Sequence, residues 1–506
     1  MKNRIYAVTK TDIDTENYDV KLNGVNLELN TARVSAYPFN RAWPGHQRQI
    51  EQTELVNFVS FACEGENILE IKSKESFENV IIRPQSLKFK HEVTSDGTVK
   101  VYMTKPAYFT IEPFGRKNAL HIFADPMIEY RTCENEEVIY FGEGEHEVGV
   151  IELKDNQTLF LDEGAVVYAR IHALDAKNIK IVGHGILDNS HNKAELLFEA
   201  NVENNGLHSA SNAIRRHTIH LEYCENIEIK GITIRDSLLF TIVPAGCRNV
   251  EIKNVKIIGN WRYNSDGIDV INSENIHIAD CFIRTFDDSI CAKGFSAKSV
   301  QNKEEQLHEL ICHNGGDYSV FKDVLVENCV VWNDWGKCLE IGAETCANEI
   351  CNFNYRNCDL IHVTGTVISC LNVDWADIHD INYENINIEY DDQILIPKMQ
   401  NSDIDKYESH DLDFAPETIG LEIAYSPAYS SMNGDREQRG KIRNFSYKNI
   451  CLYSRQQPFL FFKGFDSEHQ CENITIQNFY HNGKKLDDLS NFKLEVNEFQ
   501  KNIVIK

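Results

Sequence analysis

Cations are scarce in this 506-residue chain: 51 Lys and Arg stand against 77 Asp and Glu, leaving a net charge of −26. So acidic a field argues against nucleic acid and anionic membranes as partners, and weakly against a polyanionic substrate. Long apolar runs are also missing. No stretch of about 18 apolar residues occurs, so no membrane-spanning helix is expected. The start, Met1 to Lys10, has no apolar h-region, so the sequence predicts no secretory signal and a cytoplasmic location. No Cys-x-x-Cys pair is present among the 15 cysteines, and Cys346 and Cys351 have no second pair to complete a zinc site. Reduced, mostly buried thiols are expected, with no structural metal and no cofactor. Helical 3.6-residue periodicity is scarce, and Leu does not recur at fixed offsets, which sets aside a leucine-rich repeat.

What is present is a degenerate repeat. Its units are Asn178-Ile179-Lys180-Ile181, Asn226-Ile227-Glu228-Ile229, Asn249-Val250-Glu251-Ile252, Asn275-Ile276-His277-Ile278 and Asp323-Val324-Leu325-Val326, with weaker copies around Tyr355, Tyr383, Tyr447 and Ile476. Each alternates apolar and polar residues, which is strand periodicity. Most then place Gly, Asn or Asp at a bend, as at Gly231, Asn254, Asp280, Asn328, Asn357 and Asn385. One short strand per coil cannot bury its apolar face alone, but stacked coils can. Cys281, Cys329 and Cys358 share the position after the bend with Ile232, Val255, Ile386 and Ile450, as an inward ladder would require. Residues 1–135 lack the repeat and show short alternating strands with turn signals such as Asp96-Gly97. The chain therefore reads as all-β, an N-terminal β-sandwich over 1–135 followed by a right-handed parallel β-helix over 136–506. Polar insertions near 187–218, 295–319 and 391–440 would fall between coils, where binding loops are usually built.

Two carboxylate motifs lie 21 residues, about one coil, apart: Asn264-Ser265-Asp266-Gly267 and Phe286-Asp287-Asp288-Ser289. Taken singly, each is an ordinary turn sequence. On stacked coils, about 4.8 Å apart, Asp266 would lie above or below Asp287 and Asp288. Glycosidic bond cleavage needs such a cluster, with one acid to protonate the leaving oxygen and another carboxylate to activate water. Crowded like charges raise at least one carboxyl pKa, so one member can stay a proton donor near neutrality.

These motifs resemble the signature of the polygalacturonases, glycoside hydrolase family 28, in the pectin-lyase-like β-helix superfamily. The resemblance implies an inverting single displacement with Asp287 as general acid and with Asp266 and Asp288 holding and deprotonating the water. The Gly-His-Gly segment of that family is replaced by Gly336-Lys337-Cys338, and its Arg-Ile-Lys run by Val367-Ile368-Ser369. A substrate carboxylate needs a cationic partner, so the missing run predicts a neutral sugar, an α-glycoside such as an α-glucoside. A β-sandwich before the β-helix is similar to the dextranase and isopullulanase group, glycoside hydrolase family 49.

Further candidates for contact with substrate are Lys293, Lys337, Glu340, Trp261, Trp335 and His362, with Trp332, Asp374, Asp377 and His379 as weaker ones. The segment Arg41 to Arg48, rich in hydrogen-bonding and aromatic groups, reads as an interdomain latch or a reach towards the site. The expected partner is an oligosaccharide substrate, and self-association into a homo-oligomer is left open. Competing functions are a fructotransferase acting on fructans, a polygalacturonase acting on oligogalacturonides, a polysaccharide lyase and a noncatalytic binding protein.

Overall fold

The computed structural model describes residues 2–37, 48–130, 137–192, 217–295, 320–390, 416–426 and 439–506, and the backbone of 398–400 and 407–409. The segment 41–47 and most of the three insertions lie outside these residues.

The N-terminal domain is a sandwich of two sheets. One has five strands, with Tyr18–Leu22 between Val25–Leu27 and Asn67–Ser73. Strict alternation in Tyr18–Leu22 buries Tyr18, Val20 and Leu22 and exposes the polar residues between them. The other has six strands, with Thr53–Glu64 flanked by Asn30–Ser35, Lys2–Ile5 and Leu120–Asp125. Its strands are apolar on both faces, because both are covered. Phe61, Phe109, Ile111 and Ile122 face the other sheet, while Val56, Phe58, Tyr108 and Phe123 face the solenoid.

Of the remaining strands, 30 from Glu137–Phe141 to Gln500–Ile505 form one sheet, almost wholly parallel, wound as a right-handed β-helix; Lys398–Gln400 and Tyr407–Ser409 pair separately as an antiparallel ribbon. No α-helix occurs among the described residues. The repeat supplies the inward rungs, with Ile227 over Val250, Ile276, Val324, Phe353, Ile381, Phe445 and Ile474 in register. Tyr355, Tyr383 and Tyr447 stack inside with ring centroids 4.7 and 5.0 Å apart. The described cysteines are all free thiols, most of them buried.

Asn opens most repeat units, and Asp323 one, for a reason that alternation hides. Asn178, Asn226, Asn249 and Asn275 all have φ between 57° and 60°, a left-handed conformation that Asn tolerates best after Gly. Their side chains bond rung to rung on the outside, Asn226 Nδ2 to Asn178 Oδ1 at 3.1 Å and Asn249 to Asn226 at 3.0 Å. The bend residues on the next corner form a second such column, with Asn385 donating to Asn357 and Asn449 to Asn385, both at 2.9 Å.

The sandwich lies along the solenoid and is tied to six successive coils. Arg235 donates to Thr31 O at 2.8 Å, Lys256 pairs with Asp125 at 3.2 Å, and Arg284 meets His121 at 3.2 Å. Asp334 then pairs with Arg116, His362 bonds Glu112 at 2.8 Å, and Glu389 pairs with Arg83. All these side chains are buried, so each ion pair stands in low dielectric and depends on its partner.

Candidate active site

The carboxylates sit in two of three stacked loops, each leading from the last strand of one coil to the first strand of the next. Residues 259–267 precede Ile268–Ile271, residues 286–289 precede Ile290–Gly294, and residues 334–338 precede Leu339–Thr345. The strands fix the stacking, with Ile268 opposite Ile290 and Ile290 opposite Leu339. Backbone bonds continue it into the loops, Gly267 N to Asp288 O and Ser289 N to Lys337 O, both 2.8 Å. A side chain at Gly336 would put its Cβ 2.5 Å from the Asp287 carbonyl carbon and the Asp288 nitrogen, so only glycine permits this approach. Asn333 donates to Asp287 O at 2.7 Å and locks the loop from below.

One oxygen from each of Asp266, Asp287 and Asp288 lies within 4.8 Å of the others. Asp287 accepts two backbone bonds, from Asn264 N at 2.8 Å and Asp288 N at 2.9 Å. Those donors favour its ionised form, but burial and then the adjacent Asp288 prevail and push it up to about 7. Asp288 accepts from Lys337 N at 2.9 Å. Burial, then Asp269 and Asp287, raise Asp266 well above the usual carboxylate range. The Lys293 ammonium is buried among four carboxylates, 3.7 Å from Asp266, 3.8 Å from Asp269, 3.6 Å from Asp288 and 3.8 Å from Glu344. Burial disfavours its charge, yet the surrounding Cys291, Glu344, Asp288 and Asp266 hold its pKa well above normal. It supplies the positive charge that the acidic cluster needs.

Lys337 and Glu340 sit one coil on and bond to each other at 2.6 Å; Lys337 keeps a quarter of its side chain exposed and Glu340 is fully buried. Trp335 is half-buried beside the cluster, stacked on Phe286 at 5.4 Å. Arg48, the described end of the segment Arg41 to Arg48, lies 4.0 Å over the same Phe286 ring, so the N-terminal domain reaches the wall of the site. Trp261 is almost wholly buried under the Arg262 guanidinium and donates to Asp236 at 3.2 Å.

His362 is not brought to the cluster. It has no exposed surface, stacks on the buried Trp332 at 3.9 Å and bonds Glu112 of the sandwich. Its coil position was legible, but the face it occupies is the one the sandwich covers. Asp377 and His379 lie on another outer strand, where Asp377 pairs with Arg443 and His379 with Glu349 and Asp380. There Glu349, Cys351 and His379 hold ligand atoms within 4.8 Å of one another, close enough for a metal ion. Asp374 is buried, accepting from Thr345 N at 3.0 Å.

Sequence reasoning missed Asp269 and Glu344. Asp269 had a signal, since Ile268 and Val270 point inward and alternation turns Asp269 outward, on the rung shared with Cys291 and Glu340.

The fold and motif have known counterparts. Residues 148–397 match the family described as glycosyl hydrolases family 28. A polygalacturonase of Chamaecyparis obtusa is 32% identical over 117 residues, 23% of this chain and 22% of that protein. A polygalacturonase of Gossypium barbadense is 25% identical over 197 residues, 37% of this chain and 44% of that protein. The matches thus span from about a fifth to under half the length of these relatives. Dex49A from Penicillium minioluteum shares the fold over 100% of this chain and 97% of its own, with a TM-score of 0.64 at 13% identity. The family match and the polygalacturonase relatives overturn the expectation of a neutral α-glucoside, which rested on the missing Arg-Ile-Lys run. That inference tied a cation to one coil, whereas stacked coils bring Lys293 and Lys337 to the same loops from others. Over residues 148–397 the chain is thus similar to the glycosyl hydrolases of family 28, and its fold is shared with Dex49A.

Proposed function

We propose that this protein hydrolyses glycosidic bonds in oligogalacturonides by a single displacement with inversion. The observation that carries this is the clustering of Asp266, Asp287 and Asp288 within 4.8 Å, with one member raised to about 7. Asp287 keeps its proton near neutrality and gives it to the departing glycosidic oxygen as the bond to the anomeric carbon breaks. Asp266 and Asp288 hold a water on the opposite side of that carbon and take its proton as the new C–O bond forms. Lys293 balances their charge without leaving the protein interior.

Inverting enzymes commonly separate acid and base carboxyls by about 6.5–9.5 Å, and retaining ones by about 5–5.5 Å. Here 4.8 Å is the upper limit on the separation of one chosen oxygen from each carboxylate, and it does not by itself select either class. Two carboxylates rather than one cradle the water, which favours inversion. Lys337, with its ammonium at the rim, is the cation best placed to meet a substrate carboxylate or hydroxyl, and Trp335 offers a face for the ring.

The test is incubation with oligogalacturonides and with neutral α- and β-linked oligosaccharides, following products and first-formed anomer by proton NMR. Oligogalacturonide cleavage with inversion, reduced roughly 10²–10⁴-fold in Asp287→Asn, is expected. Cleavage of neutral oligosaccharides alone would refute the substrate, and a retained anomer would refute the single displacement.

A further inference from the structure

We propose that Asp269 shares one proton with Asp266 and acts as a positioning residue, a hydrogen-bond donor held behind the carboxylate that takes the proton from water. The proposal rests on the reading of Asp266 as part of the base.

Asp269 lies in the strand Ile268–Ile271, three residues after Asp266, with its side chain on the outer face of the strand and no exposed surface. Both of its carboxyl oxygens, and Oδ1 of Asp266, are buried and accept no hydrogen bond from any donor group among the described residues. The two carboxyl groups are within hydrogen-bonding reach of each other. Every group facing Asp269 from the packed elements leaves it short of positive charge. The loops above bring Asp266, Asp287 and Asp288; the neighbouring strand brings Cys291 in register and Lys293 at 3.8 Å; the other neighbour brings apolar Val243. Lys293 is a single cation already shared by four carboxylates.

Two bare carboxylates side by side in such a site cost far more than a carboxyl and a carboxylate joined by one O–H···O⁻ bond. One proton between them satisfies the Asp266 oxygen that otherwise has no donor. Burial, opposed by Lys293 and joined by Asp288, holds Asp269 well above the usual carboxylate range, and Asp266 is raised as well, as a pair retaining a proton requires. With the proton on Asp269, Asp266 presents a fixed, singly charged acceptor to the water.

Asparagine imitates a protonated aspartate, and alanine does not. In Asp269→Asn the amide still donates to Asp266, so kcat/KM falls only several-fold and the acidic limb of its pH profile stays at the wild-type position. In Asp269→Ala that donor is lost, Asp266 binds its proton more tightly, and the limb moves up by about one pH unit. A limb that moves down in Asp269→Asn would show that Asp269 was ionised and overturn the proposal; an unmoved limb in Asp269→Ala would do the same. Infrared difference spectra of folded wild type minus Asp269→Asn at pH 8 decide the matter without turnover. Loss of one neutral-carboxyl C=O band is expected, and an unchanged band overturns the shared proton even if no substrate is cleaved.

Discussion

Replacing Lys293 with Met isolates the electrostatics of the site, since Met matches the stem of the side chain and removes only the charge. The ammonium lies 3.7 Å from Asp266 and 3.6 Å from Asp288. At an effective dielectric of about 20, a pair near 4 Å is worth about 4 kcal/mol, so each carboxylate loses roughly that much stabilisation. The cluster has two ways to respond. If the carboxylates stay ionised, the folded state loses the 3–5 kcal/mol typical of a broken buried pair. If they bind protons instead, stability is largely kept and the base is lost. The second route is cheaper, because a buried, uncompensated charge neutralises rather than persists. The expected result is a modest fall in Tm, a drop in kcat/KM of at least about 100-fold at pH 7, and an acidic limb displaced upward. Lys293→Arg, which keeps the charge in a bulkier group, should recover part of the rate. Activity and pH profile both unchanged in Lys293→Met would refute the claim that this ammonium holds the carboxylates ionised.

Asp287 carries its own pH signature. Its pKa of about 7 in the folded protein stands above the ordinary 3.8 of an aspartate, so its contribution is full below about pH 4 and is lost as pH rises through 7. Asp287→Asn should therefore be more stable than wild type at pH 8 by on the order of a few kcal/mol and melt at a higher temperature; a melting difference that does not change between pH 4 and pH 8 would contradict this. The alkaline limb of wild-type kcat/KM should fall near the same pH, and should be absent from the residual activity of that variant. Asp334→Ala leaves the buried Arg116 and Arg284 without their shared carboxylate and should cost about 3–5 kcal/mol by chemical denaturation. Tyr383→Ala opens a hole between Tyr355 and Tyr447 and should cost a similar 3–5 kcal/mol, with turnover by the folded fraction intact.

The repeat made the solenoid legible, because a ladder residue such as Ile227 or Ile276 has the same neighbours above and below in every coil. The carboxylate cluster was legible for the same reason, as 21 residues is one turn of that ladder. What stayed hidden depends on the face that a residue presents. His362 and Trp332 fit the sugar-pocket pattern by coil number, yet they face the sandwich, and nothing local in the sequence marks which corner another domain will cover. Lys293 read as a candidate contact with substrate, and its place among the carboxylates stayed hidden because four of them from separate segments converge on it only after folding. The missing Arg-Ile-Lys run misled because it treats one rung as the only source of charge, while a stacked site draws side chains from several.

The six clamps from the sandwich bear on how the molecule comes apart. A bare solenoid is a chain of nearest-neighbour contacts and can fray one coil at a time. Here a rigid second body grips consecutive turns from Arg235 to Glu389, so none of them can peel away without breaking a buried polar contact on a surface shared with the rest. The sandwich works as a splint. It makes the turns bearing Asp266, Asp287 and Asp288 one cooperative block, while the coils from Lys441 onward lie past the last clamp and are free to open first under heat or denaturant.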